Sequence, residues 1–419
     1  MEHGRRIGII ATRLAGTDGV SLETAKWVKV LTSLGYECYY FTGESEWPDD
    51  RTYLLPEAHF SQTDIKVLKH DLFDDYQRSK ETSSEVNRLK ENIKIHIHKF
   101  IDKFKPDLLI AENILSIPMN IPLGLALTEV IVEADIPAIA HHHDFRWERT
   151  RYAISGAEDY LRAAFPPTLR QIRHVVINSF AQKQLALRTG LSSTLIPNVM
   201  EFKKTPPGLD EYNQDMREEL GIDQDEHILL QPTRIVPRKR IELSIELARR
   251  IDQKCVVLIS HQSGDEGKNY EAYLREFAQF LGVKVIFGAD RFDYIRGLAP
   301  DGRKIYSLED AYLQADLVTY PSRVEGFGNA FLETVYYRRP IVMSTYEIFK
   351  TDIQPKGFMI IGFGDYIDNG CINASRQILA NPAKADEMTD LNFDIGQRYY
   401  SFNTLEYLLT SLLTECLGT

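Results

Sequence analysis

Short apolar runs rich in β-branched residues recur along this chain, and helical patterns separate them in both halves. Residues 6–11, 38–42, 106–111, 136–140, 174–179 and 193–196 read as one series of strands. Residues 227–232, 256–260, 283–287, 317–320, 341–343 and 358–361 read as a second. A strand apolar on both faces belongs in a parallel sheet covered by helices, and strands alternating with helices form βαβ units. The fold class implied is α/β, with two doubly wound Rossmann-like domains facing a cleft. Residues 201–213 carry Lys203, Lys204, Pro206, Pro207 and Gly208 without periodicity and read as a linker. The first domain then covers residues 1–200 and the second 214–395, with terminal helices over 396–419.

Between the strands, residues 23–34 read as a helix and residues 47–71 as irregular. A long helix is expected over 83–104, where Val86, Leu89, Ile93, Ile97, Phe100, Ile101 and Phe104 make one buried stripe. Its other face is basic, with Arg88, Lys90, Lys94, Lys99 and Lys103. A solvated face is the favoured reading and peripheral membrane contact the alternative. The net charge of −11 argues against general nucleic-acid binding, and no apolar run approaches the length of a membrane span. The N-terminus leads straight into a strand with no signal-peptide pattern. The four cysteines are scattered without metal or redox spacing, so a reduced, cytoplasmic protein is expected.

Two turns have the composition of anion sites. After the 316–320 run, Pro321 and Ser322 end the strand, Gly326 and Gly328 make a turn, and a helix begins near Asn329. A helix N-terminus after a glycine turn presents free N–H groups and a positive dipole end. Glu325 and Glu333 flank it; as acceptor-only groups they suit the hydroxyls of a polyol better than a phosphate. The second turn, 233–240, holds Arg234, Arg238, Lys239 and Arg240 directly between a strand and a helix.

In the first half, Gly16 and Gly19 lie in a small-residue turn after the first strand. Glu112 and Asn113 end the third strand, and His141, His142, His143, Asp144 and Arg146 end the fourth. Strand alternation puts His141 and His143 on one side and His142 on the other. With no Cys or further His nearby in sequence, a metal is disfavoured; a structural histidine cluster and an active-site histidine stay open. Asp223-Gln224-Asp225 lies in a polar turn and is not read as a metal motif, and the Gly264–Lys268 stretch is too short for a phosphate loop. Residues 287–310, with Asp290, Arg291, Arg296 and Arg303, are irregular and offer room for a base-recognition loop.

Glu325 and Glu333, eight positions apart around Gly326-Phe327-Gly328-Asn329, resemble the E-x(7)-E element of retaining nucleotide-sugar glycosyltransferases with the GT-B fold, glycosyltransferase family 4. The resemblance implies that Arg234 and Lys239 grip the donor diphosphate, together with the Gly326, Phe327, Gly328 and Asn329 backbone. It implies that Glu325 binds the sugar hydroxyls and Glu333 the ribose. Gly16 and Gly19 face the donor phosphates and acceptor, and His143 (or its neighbour His142) lines the donor sugar. The family usually has Gly after the lysine, where this chain has Arg240. No metal cofactor is required, and the donor would be GDP-mannose or UDP-glucose. The 16–22, 112–118 and 141–147 stretches are similar to a subgroup that makes small glycosylated osmolytes, the mannosylglucosylglycerate synthases. Asn113, Asp144 and Arg146 are then the acceptor candidates, with Arg146 placed on a carboxylate such as that of glucosylglycerate. A lipid or surface-polysaccharide acceptor, a same-fold epimerase and a non-catalytic nucleotide-sugar sensor are the alternatives. The nucleotide base, the sugar and the oligomeric state are not written in the sequence.

Overall fold

The computed structural model describes residues 5–16, 18–263 and 268–418. Residues 264–267 of the glycine-bearing stretch and the first four residues, both read above, lie outside the described residues. The chain divides into two compact units, one of Met1–Val199 with Phe402–Thr419, the other of Met200–Ser401.

Unit 1 is built on seven parallel strands: β1 Arg6–Ile10, β2 Glu37–Thr42, β3 Thr52–Leu54, β4 Leu108–Glu112, β5 Ala138–His142, β6 Ile172–Val176 and β7 Thr194–Leu195. Their order is β3-β2-β1-β4-β5-β6-β7. The chain winds outward from β1 in one direction and from β4 in the other, so the crevice between these two strands is a topological switch point. The first helix, Gly19–Ser33, begins four residues before the expected start, because the Asp18 side chain caps it by accepting from the Val20 and Ser21 amides. The expected 83–104 helix likewise starts earlier, as Lys80–Phe104 behind a Ser79 cap. The 47–71 region is not wholly irregular: it contains β3 and most of the helix Thr63–Phe73. The expected 174–179 strand is shifted, ending at Val176 where Asn178 caps a new helix from Ser179. Of the basic helix face, Lys90 and Lys94 pair with Glu129 and Lys94 also with Glu133, both on the helix Ile121–Glu133.

The last helix, Phe402–Leu417, belongs to unit 1. Its Leu405, Leu409, Leu412 and Leu413 are buried in the cluster that holds Ile7, Ile9, Trp27 and Leu31. At about 2 kcal/mol for each fully buried leucine side chain, this helix is a substantial part of the unit's core.

Unit 2 has six parallel strands: β8 His227–Gln231, β9 Cys255–Ile259, β10 Lys284–Phe287, with β14 Leu317–Tyr320, β15 Ile341–Ser344 and β16 Ile361–Phe363, in the order β10-β9-β8-β14-β15-β16. Its switch point lies between β8 and β14. The expected 358–361 strand is displaced toward the C-terminus, where Val342 to Ser344 find their pairing partners. Within 287–310 a small sheet forms from β11 Phe292–Asp293, β12 Gly297–Leu298 and β13 Lys304–Ser307. Its cations are engaged: Arg291 with Glu219, Arg296 with Asp210 and Asp310, Arg303 with Asp290 and Asp301. The 201–213 segment is tied to this sheet through Tyr212, whose hydroxyl donates to the Gly297 and Ile305 carbonyls. Among the described residues no helix is long and apolar enough to cross a membrane. The four cysteines are free thiols.

Candidate active site

At the unit 2 switch point, β14 ends at Tyr320 and the turn 321–328 leads into the helix Asn329–Tyr336. Gly328 stands at its N-cap with φ of 116°, where an added Cβ would lie 2.3 Å from the Tyr346 hydroxyl. That hydroxyl donates to the Phe327 carbonyl at 2.6 Å, so the turn closes only on glycine. On the neighbouring strand, β8 leads into the turn Pro237–Lys239. Lys239 donates to Glu325 through a very short contact, and Arg238 reaches the other Glu325 oxygen at 3.2 Å. The Lys239 ammonium also sits 5.3 Å from the centre of the Tyr320 ring. Burial alone would raise the Glu325 carboxyl, but Lys239 and then Arg238 hold it below its ordinary value; burial lowers the Lys239 ammonium. The turn is thus an ionised cluster with two cations on one carboxylate.

Arg234 lies exposed on the same turn. Glu333, in the second turn of the helix, accepts from the Tyr312 hydroxyl at 2.9 Å. Arg240 occupies the left-handed region with φ of 48°, which explains why glycine is the residue expected there. Its guanidinium donates to the Pro321 carbonyl at 2.9 Å and the Asp365 carbonyl at 3.0 Å, tying the basic turn to the glycine turn.

At the unit 1 switch point the ends of β4 and β5 carry a second carboxylate cluster. Glu112 is buried, and its Oε2 lies 3.0 Å from His141 Nδ1 and 3.4 Å from His143 Nε2. The acceptor-only carboxylate fixes a proton on each of those nitrogens. His141 stacks on Trp27 with ring centres 4.2 Å apart. Burial alone would raise the Glu112 carboxyl, but the histidines, His141 foremost, pull it down to about 2. Burial lowers His141; burial alone would also lower His143, but the Glu112 hydrogen bond together with the charges of Glu112, Glu23 and Asp144 raises it. His142 faces the opposite side, 2.9 Å from His174, and burial depresses both. The alternation expected from sequence is therefore observed.

The ligand atoms of Glu112, His141 and His143 all lie within 4.8 Å of one another. The sequence reading found no partner to complete a metal set, and Glu112 is the group it overlooked. Here Glu112 Oε2 is hydrogen-bonded to both histidines, which makes the arrangement a carboxylate–dihistidine cluster with the composition of a candidate ligand set. The Asp223-Gln224-Asp225 turn is an exposed surface, with Asp225 paired to Lys254.

Asn113, at φ of 59°, links the β4 and β5 ends: its Oδ1 accepts from the His143 amide at 3.0 Å and its Nδ2 donates to Asp144 at 3.0 Å. Asp144 in turn pairs with Arg149. Arg146 stands 3.7 Å from Glu158, and burial lowers its guanidinium. Gly16 does take a left-handed conformation, φ of 73°, but Gly19 is the first residue of a helix and no turn glycine. A pocket of about 100 Å³ opens at this switch point, lined by Arg13, Asp18, Glu112, Asn113 and Asn120 among others, and Arg146 is not in its wall. Sequence reasoning missed Arg13, and it placed Arg238 in the basic turn without a partner. The signal for Arg13 was its place just past β1, which becomes informative once β1 and β4 are known to be neighbours.

Comparison with known proteins agrees with this architecture. No protein-family model matches the chain. It is 32% identical to the mannosylglucosylglycerate synthase of Thermotoga maritima over 97% of this chain and 99% of that one. It is 33% identical to the enzyme of the same name from Petrotoga mobilis, over 85% of this chain and 86% of that one. The chain belongs to the mannosylglucosylglycerate synthase family. Among solved structures, the sucrose-phosphate synthase of Thermosynechococcus elongatus superposes with a TM-score of 0.69 at 16% identity, covering 99% of both chains. HepE of Anabaena, solved with UDP and glucose, gives 0.65 at 13% identity, covering 99% of this chain and 100% of that one. Membership of this family makes the chain a glycosyltransferase, and the fold is GT-B, as the sequence resemblance implied.

Proposed function

We propose that the protein transfers a hexose from a nucleotide-diphosphate sugar to a small polar acceptor with retention of anomeric configuration, in the making of a compatible solute. The single observation that carries this is the cluster of Lys239, Arg238 and Glu325 beside the Gly328 helix start at a switch point. The names of the relatives favour mannose, hence GDP-mannose as donor and glucosylglycerate as acceptor. UDP-glucose is the alternative donor.

Breaking the bond between the anomeric carbon and phosphate builds charge on the departing diphosphate. Arg234, Lys239 and the Gly326–Asn329 backbone are the groups proposed to stabilise it; loss of one such contact typically costs ~10²–10³-fold in rate. Lys239 and Glu325 are each other's partners in the structure, so donor binding is proposed to exchange them. Lys239 passes to phosphate oxygens, and Glu325 is released to accept from the sugar hydroxyls. Phe327 shapes the turn, and Glu333 takes the ribose hydroxyls. For a retaining outcome, the departing phosphate takes the acceptor hydroxyl's proton on the face it leaves. His143 keeps the role of touching the transferred sugar, oriented by Glu112, and Gly16 lets the first turn approach the substrates. Asn113 and Asp144 remain acceptor-side groups. No step uses a metal, and a cytoplasmic location goes with the reading.

The test is to incubate purified protein with GDP-mannose and glucosylglycerate and assign the new linkage by NMR. An α-mannoside is the expected product. A β-linkage would overturn retention, and donor binding without transfer to this or other small acceptors would favour a sensor. Activity should survive exhaustive chelation; a loss restored by magnesium or manganese would overturn the metal-free reading.

A further inference from the structure

We propose that Arg13 binds the carboxylate of an anionic hydroxy-acid acceptor in the unit 1 pocket; this rests on the transferase reading above and adds the residue that holds the acceptor's acid group. Arg13 is the only Lys or Arg among the residues that line the pocket. One of its terminal nitrogens is 2.9 Å from Asp18, and its guanidinium lies 5.4 Å from the centre of the Phe60 ring. These two contacts hold the planar group in place. Its Nε is buried and makes no hydrogen bond. A buried donor without a partner costs ~1–3 kcal/mol and calls for an explanation in function.

The other polar side chains of the pocket are largely committed. Asp18 is shared between Arg13, the Ser21 hydroxyl and the helix amides it caps. Asn120 donates to the Glu57 and Ala58 carbonyls and accepts from the Leu123 amide. Asn113 bridges the strand ends as described. Among the buried side-chain polar atoms of the described lining residues there is one further exception: Glu112 Oε1 has no partner, while Oε2 serves both histidines. The pocket therefore presents one unsatisfied donor on a cation and one unsatisfied acceptor on a carboxylate. A ligand matching both has a carboxylate for Arg13 and a neighbouring hydroxyl for Glu112. A guanidinium offers parallel N–H donors to a carboxylate, a geometry that an ammonium cannot reproduce.

The test uses calorimetric titration of the full-length protein with glucosylglycerate and with its neutral counterpart glucosylglycerol. GDP and UDP are titrated into the same samples, and that signal reports on the transferase reading separately. Wild type is expected to bind the acid at least 10-fold more tightly than the neutral compound. Arg13→Gln should abolish that preference with nucleotide affinity and melting temperature unchanged, and Arg13→Lys should recover only part of it. Equal binding of the two compounds by wild type would overturn the proposal, whatever the nucleotide titration shows. So would a preference that survives Arg13→Gln, or one lost in Arg146→Lys instead.

Discussion

Each unit places a carboxylate at its switch point, buried in unit 1 and nearly so in unit 2, and matches it with two basic groups on the neighbouring turn or strand, yet the basic groups differ. Glu325 in unit 2 is met by Lys239 and Arg238, Glu112 in unit 1 by His141 and His143. Lysine and arginine ordinarily carry their charge near neutral pH, whereas imidazoles titrate close to it. The unit 2 cluster has the fixed positive charge that a diphosphate demands. The unit 1 cluster can hold its carboxylate ionised while leaving the surroundings nearly neutral, which suits hydroxyl recognition. One backbone solution thus serves two chemistries through the choice of partner for a single acid.

The sharpest way to break this comparison is to remove the fixed charge. Lys239→Ala should lower kcat by about 10²–10³-fold. It should also cost about 3 kcal/mol of stability, because Glu325 is left buried with only Arg238. Normal turnover at saturating donor would take Lys239 out of the site. Next in size is Gly328→Ala. The left-handed backbone and the clash with Tyr346 should together cost about 2 kcal/mol and at least tenfold in activity, measured by thermal melts and initial rates. Wild-type behaviour would mean that the turn does not need its present shape.

The titrating side gives a pH prediction. His141, His142 and His174 of unit 1 are all depressed by burial, His174 to about 4. Below the ordinary value of about 6.5 the unfolded chain takes up protons that these folded imidazoles refuse, so stability falls as pH falls. His143, raised by Glu112, opposes this only in part. Glu112 itself, held to about 2, contributes stability that is full above its ordinary value of 4.5 and is lost progressively as pH falls from there through about 2. In unit 2, His261 alone among the described histidines is depressed, to about 4. Hydrogen exchange at pH 7 and pH 5, corrected for intrinsic rates, should therefore show unit 1 strands losing more protection than unit 2 strands. Equal losses would erase the contrast. In Glu112→Gln the His143 imidazole should titrate at lower pH by NMR; an unmoved titration would show that Glu112 does not set it.

The smallest effect is expected at Arg240→Gly. Glycine relieves the left-handed backbone by about 1 kcal/mol but gives up the bonds to Pro321 and Asp365, so melting temperature should change little. Donor KM should rise a few-fold as the basic and glycine turns come apart. An unchanged KM would make Arg240 a substitution without consequence.

The unit 2 cluster was legible in sequence because each half of it is contiguous. Arg234 to Arg240 fill one turn, and Glu325 to Glu333 run from a second turn into the helix after it, so spacing exposes them. What spacing did not show is that Lys239 and Glu325 meet, since that depends on β8 and β14 being neighbours. The unit 1 groups are harder. Arg13, Glu112 and His143 come from the ends of three strands, and only the strand order assembles them. The helix Ile121–Glu133 escaped notice for a different reason: residues 121–127 are buried without interruption, leaving no polar face in its first half to mark a period. Gly19 was misjudged because a glycine after Asp18 looks like a turn when it is the first step of a capped helix.

The return of the chain to unit 1 through Phe402–Leu417 imposes an order on folding during synthesis. Residues 200–401 form one uninterrupted unit and can fold as soon as they leave the ribosome, whereas unit 1 lacks four core leucines until residues 405–413 have emerged. For that interval the surface around Ile7, Ile9, Trp27 and Leu31 is an uncovered apolar patch on a nascent chain, open to chaperones and to other copies of itself. Damage at the far C-terminal end would consequently be felt at the first strand, and so in the stretch that carries Arg13.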